Sequence, residues 1–125
     1  MTLCDDDRIG EVIEFAEANL DLAAIATGAS DELGLGREFA PHSCLDFVLQ
    51  GLRRFPGRGG TLIETGLESP VIRNRNMAVA ALAAWTRAAW PGGLEEALER
   101  AAGCEPNEDV RERMRKASRG EPLSP

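Results

Sequence analysis

The chain has 125 residues, 43% hydrophobic and 28% charged, enough for one domain to bury a core without disulfides or a structural metal and too apolar for wholesale disorder. Its formal net charge of −7 lies at the front, with 13 acidic and 5 basic side chains in residues 1–70 against 8 and 9 in residues 71–125, so a phosphate polymer would be repelled where it needs a basic footprint and nucleic acid is disfavoured as a partner. With no Tyr, four Phe, two Trp and abundant Ala, the chain reads as all-α, since this mixture suits closely packed helices better than sheets.

In chain order, Asp5, Asp6 and Asp7 precede Ile9, Val12, Ile13, Ala16 and Leu20, which share one helical face. Carboxylates at the start complement the helix dipole, so a first helix is predicted from about Asp7 to Ala26. Phe15, Leu22 and Ile25 widen its apolar surface, implying contact with two neighbours. Gly28 ends it, and Ala29 to Pro41 reads as a loop or one short turn. Ser43 is the candidate cap of a second helix carrying Leu45, Phe47, Val48, Leu49, Leu52 and Phe55, with Asp46 in the capping-acid position. It stops at Pro56, and Pro56, Gly57, Arg58, Gly59 and Gly60 cannot continue it. A third helix is predicted for about Thr61 to Glu68.

Ser69 and Pro70 then read as cap and first residue of a fourth helix reaching about Trp90, with Val71, Asn74, Ala78, Ala81, Trp85 and Ala88 on an Ala-lined side open to close approach. Pro91, Gly92 and Gly93 break the chain. Leu94 to Ala102 form a fifth helix ended by Gly103. Asn107 caps a sixth, which carries Val110, Met114 and Ala117 and gathers Arg111, Arg113, Arg115, Lys116 and Arg119 toward its end. Residues 1–119 form one domain, and 120–125 are expected to be a disordered tail.

A glycine pair opens a short helix at Gly59, Gly60, Thr61, Leu62 and again at Gly92, Gly93, Leu94. A proline follows each: Pro70 precedes Ile72 and Arg73, and Pro106 precedes Val110 and Arg111, a step of 38 residues from Ile72 to Val110 within the range of two-helix solenoid repeats. Arg113 and Met114 loosely echo Arg75 and Met77. On these residues the stretch Leu62 to Ala117 resembles the HEAT-repeat family of helical-hairpin proteins as found in bacteria, whose second helix often starts after Pro or Asp with a Val-Arg pair; the front half fits as degenerate helices, and the last unit looks like a half repeat. The resemblance implies a short right-handed α-α superhelix of about six helices offering one elongated surface to a partner, because each hairpin buries its apolar side on its neighbours.

Cys4, Cys44 and Cys104 are odd in number and widely spaced, so neither a disulfide framework nor a zinc knuckle is indicated. His42 and Cys44 could meet as base and thiol, yet no orienting group or oxyanion donor accompanies them. Asp5, Asp6 and Asp7 lack the spacing of a calcium loop, and Arg58, Gly59, Gly60, Thr61 lack the lysine of a phosphate loop. No catalytic, cofactor or metal residues are therefore assigned. Thirteen Arg against the single Lys116 fit the codon bias of a GC-rich genome. The acidic start is unlike a secretory signal and no apolar run spans a bilayer, so no membrane partner is expected and a reducing cytoplasm is the expected setting.

The candidate partner-binding residues are Arg73 and Arg75, which could reach an acidic partner such as the front of a second copy; Trp90, an interface anchor at a helix end; and the apolar strip Phe15, Leu22, Ile25. Asn74 and Asn76 are costly near a helix start unless they bond to a neighbouring hairpin. The expected function is a non-enzymatic protein-binding or scaffolding module, with a homo-oligomer possible. The alternatives are a subunit or terminal piece of a larger solenoid and a HEAT-like DNA-repair enzyme, the latter opposed by the missing basic groove.

Overall fold

The computed structural model describes residues 6–30, 32–33, 37–121 and 123. Among these the chain is all-helical: α1 (Asp6–Asn19), α2 (Leu22–Ile25), α3 (Ala40–Leu52), α4 (Gly60–Leu67), α5 (Ile72–Ala84), α6 (Leu94–Cys104) and α7 (Glu108–Ser118), with single 3-10 turns at Arg37–Phe39 and Arg87–Ala89. One isolated bridge pairs Glu32 with Val71. Cys4, Asp5, Pro122, Ser124 and Pro125 lie outside the described residues.

Several boundaries differ from the sequence pattern, each for a local reason. The expected first helix is broken at Asp21, whose carboxylate accepts the Ala24 N–H and caps a new turn; aspartate offers the backbone an alternative to the ladder. α3 begins three residues before Ser43, with Pro41 in its first turn, where a missing N–H costs nothing. Asp46 is consequently mid-helix and buried rather than a capping acid. Ser69 does not cap α5: its hydroxyl accepts the Val71 N–H and donates to the Asn74 side chain, and the extended Val71 holds the cap position. α5 ends at Ala84, well short of Trp90, because Trp85 turns extended while its buried indole N–H donates to the Leu52 carbonyl at 2.9 Å. Ala88, in the following segment, is therefore exposed rather than on the α5 strip. Gly103 sits inside α6 instead of ending it. α7 is capped as predicted, by the Asn107 side chain on Asp109 and Val110 N–H. In the tail, Leu123 packs on the core.

The helices contact one another in two rows, α2 with α4 and α4 with α6 on one side, α3 with α5 and α5 with α7 on the other. Within hairpins, α1 meets α3, α4 meets α5 and α6 meets α7. The broken first helix thus does touch two neighbours, through α1 on α3 and α2 on α4. Gly59 and Gly93 both take left-handed φ angles, +74° and +90°, at the start of α4 and α6, the conformation glycine adopts without strain. Gly60 faces Pro91 of the equivalent turn, where an added Cβ would approach within 3.2 Å.

The buried faces of α4 to α7 recur at steps of their own. Asn74, Ala78 and Ala81 of α5 and Val110, Met114 and Ala117 of α7 are buried with the same spacing, 36 residues apart. Leu62, Ile63 and Leu67 of α4 and Ala97, Leu98 and Ala102 of α6 match at 35. The step of 38 from Ile72 to Val110 is a sequence echo that the buried faces do not follow; Arg75, not Arg73, stands where Arg111 does.

Polar side chains join the hairpins. Arg75 is wholly buried and forms a bidentate pair with buried Glu105, 2.6 Å from Nε to Oε1 and 2.7 Å from Nη2 to Oε2. Arg75 Nη1 donates to the Ser69 and Pro70 carbonyls at 3.0 Å each, and Glu105 also accepts the Asn107 N–H. Asn74 donates to the His42 carbonyl of α3 at 2.8 Å. The loop before α3 is held to the α4–α5 turn through Gly28 N–H on Glu68, Glu32 N–H on Pro70 and Ile72 N–H on Glu32.

Candidate partner-binding surface

Two aromatic side chains escape the core. Phe15 is 64% exposed and Phe47 is 68% exposed, large apolar areas to leave in water at about 25 cal/mol per Å². Phe47 follows from helical geometry: Leu45, Val48, Leu49 and Leu52 occupy the inward strip of α3, and a residue about 100° from Val48 turns outward. Phe47 is carried by this helix as the sequence pattern expects, and stands outside its inward strip.

Phe47 forms one wall of a groove of about 520 Å³ between α1 and the C-terminal half of α3. Ile9, Val12, Val48 and Phe55 supply apolar lining, with Arg8, Glu11, Gln50 and Arg54 on its polar edges. The Arg58 guanidinium lies against α1 at Gly10, 3.0 Å from where a Cβ would stand. Of the five basic residues among the first seventy, Arg8 belongs to the start of α1 and Arg53, Arg54 and Arg58 to the segment between α3 and α4. Phe15 continues the α1 face of Arg8, Glu11 and Val12 by helical spacing.

The predicted site residues are scattered. Phe15 is exposed as expected, whereas Leu22 packs partly against the core and Ile25 is buried within it, so the three do not form an exposed strip. Arg73 extends into solvent and places Nη2 2.8 Å from Asp46 Oδ2. Arg75 cannot meet a partner, because it is sealed inside against Glu105. Trp90 is half-buried: its indole donates to the Leu82 carbonyl at 3.0 Å and the Arg87 guanidinium lies 4.5 Å over its ring. Trp90 therefore follows a 3-10 turn rather than ending the helix of Trp85.

Cys44 and Cys104 are exposed free thiols, and the His42 Nδ1 does not bond to Cys44. Partial burial holds the His42 imidazole below its ordinary pKa, its ring stands edge-on to Phe39 at 5.1 Å, and its Nδ1 is buried without a hydrogen-bond partner. Beside it a cleft of about 90 Å³ is lined by Leu33, Ser43, Asp46, Val71, Arg73 and Asn74. Among the described residues no His, Cys, Asp or Glu cluster is arranged to hold a metal ion, and no helix is long and apolar enough to cross a membrane.

No family model, curated protein or solved structure matches the chain.

The groove was missed in the sequence because its two walls, residues 8–12 and 47–55, are far apart in the chain. The available signal was a mixed set on α3 and the turn after it, Phe47, Gly51, Arg54 and Phe55, running beside the wholly apolar strip.

Proposed function

We propose that the chain is a non-enzymatic protein-binding or scaffolding module, a short right-handed HEAT-like stack whose outer helical faces receive another protein. The observation that carries this reading is the groove between α1 and α3, where Ile9, Val12, Val48 and Phe55 meet the 68% exposed Phe47, since contiguous apolar area left open to water marks interaction surfaces. The two-row contact order of the helices supports the HEAT-like part, because a stack of hairpins leaves continuous outer faces for partners. Crosslinking in the native cell followed by mass spectrometry tests it: a protein recovered in stoichiometric amount is the expected result. Salt-dependent DNA binding, or a chain that turns over a small molecule on its own, would sink it.

A second reading, a subunit or terminal piece of a larger helical solenoid, has one observation in its favour. Arg111 repeats the position of Arg75 in the 36-residue register, and the neighbouring Arg113 Nε is buried without a hydrogen-bond partner, as a face awaiting another hairpin would be. A partner that stacks end-on against α7 and protects it from amide exchange is the result that reading requires.

A further inference from the structure

We infer that the groove between α1 and α3 is the docking site, and that its occupant is an acidic amphipathic helix of a partner protein. The inference rests on the protein-binding function above and specifies where and what it binds. The floor and walls, Ile9, Val12, Phe47, Val48 and Phe55, are apolar, and an open trench between two helices receives a third helix through anchors spaced at three, four and seven residues. Phe47 stands on the rim and closes over such an anchor, as aromatic hot-spot residues do.

Charge selects the occupant. The first seventy residues carry 13 acids to 5 bases, so most of this half repels an acidic partner. The exception is the groove: Arg54 lines it, Arg58 lies across α1 beside it and Arg53 precedes Arg54 at the end of α3. Glu11 is the opposing charge on the lining, and it sits on the α1 side. Guanidinium groups also offer paired donors that match carboxylate geometry. A basic helix would meet like charge at Arg54 and Arg58, and a neutral one would leave both without a counterpart. A second copy is a poorer fit. The apolar strips of α1 and of α3 to α7 are occupied inside their own stack, which leaves, among the described residues, no unpacked apolar strip to offer.

The test uses the full chain and a displayed library of helix-forming peptides with randomised outer positions. Selection should enrich Glu and Asp together with Leu or Phe at helical spacing. In a fluorescence-anisotropy titration of the best selected peptide, Phe47→Ala and Arg54→Glu should each weaken binding about tenfold or more. Both side chains point to solvent, so the urea midpoint should stay at the parent value and the loss cannot be attributed to unfolding. Added salt should weaken binding to the parent and have a smaller effect on Arg54→Glu. Neutral or basic selected peptides, no selected peptide, or binding indifferent to both substitutions would overturn the assignment. So would a dimer in light scattering that Phe47→Ala dissolves, since the occupant would then be a second copy. A cellular partner that binds Phe47→Ala and Arg54→Glu as well as the parent would preserve the protein-binding function while removing the groove from it.

Discussion

Replacing Glu105 by Gln would leave the Arg75 guanidinium buried with a neutral partner in place of its carboxylate. Both side chains have zero exposure, so the charge cannot reach water without opening the joint between the α4–α5 and α6–α7 hairpins. Breaking a buried pair by removing one charge costs about 3–5 kcal/mol. Two features place this pair toward the upper part of that range. Glu105 also accepts the Asn107 N–H ahead of α7, and Arg75 holds the Ser69 and Pro70 carbonyls where the chain enters α5, so disturbing the pair disturbs two helix starts. Against a total stability of about 5–15 kcal/mol for a domain of this kind, the variant should be partly unfolded in mild denaturant. With a urea slope of about 2 kcal/mol per M, a loss of about 4 kcal/mol moves the midpoint down by about 2 M. Urea titration followed by helical circular dichroism measures this, with Arg75→Met, Glu105→Leu and the double variant Arg75→Met, Glu105→Leu forming a closed cycle beside it. The double variant should recover most of the loss, because an apolar pair of similar volume avoids desolvating two charges. A Glu105→Gln stability within about 0.5 kcal/mol of the parent, the ordinary range for surface substitutions, would refute the claim that this pair joins the hairpins.

Gly66→Ala should destabilise by about 1–3 kcal/mol, since its Cβ would fall 2.9 Å from Leu49 Cδ1 and 3.1 Å from Ala78 Cβ; Gly103→Ala, inside α6 with nothing within 4 Å, should stabilise by about 0.5–1 kcal/mol, and paired thermal melts compare the two signs. Trp85→Phe keeps most of the buried ring but leaves the Leu52 carbonyl to the Phe55 N–H alone, a loss of about 0.5–1.5 kcal/mol readable by urea titration. Burial lowers the His42 pKa in the folded chain, so the unfolded chain takes up its proton first as the pH falls below about 6.5; stability should decline through that window until the folded pKa is passed, and the decline in urea midpoint should be smaller in His42→Gln.

The apolar skeleton was legible because period alone determines it. Ile9, Ile13 and Ala16, Leu45, Val48, Leu49 and Leu52, and Val110, Met114 and Ala117 repeat at three and four residues and are buried where that spacing puts them. Helix ends were less legible. Asp21, Pro41 and Ser69 each admit more than one local role, and which role wins depends on what the next helix packs against: Ser69 is drawn from capping into a bond with Asn74 because Asn74 itself reaches back to the His42 carbonyl.

Arg73 and Arg75 show why the polar part of the site resisted reading. Two positions apart on a helix point about 200° away from each other, so one of the pair was bound to face inward. The strip Arg75, Val79, Leu82, at steps of four and three, identifies which, yet it does not show that an arginine at the head of that strip has a carboxylate waiting 30 residues later in sequence. A buried guanidinium without that carboxylate would be untenable, so Arg75 and Glu105 depend on each other and neither can be interpreted alone. The same reasoning separates the joints from the surface: Arg75 and Asn74 are consumed in holding hairpins together, while Arg54, without a buried partner at the groove edge, is left to act on whatever the groove receives.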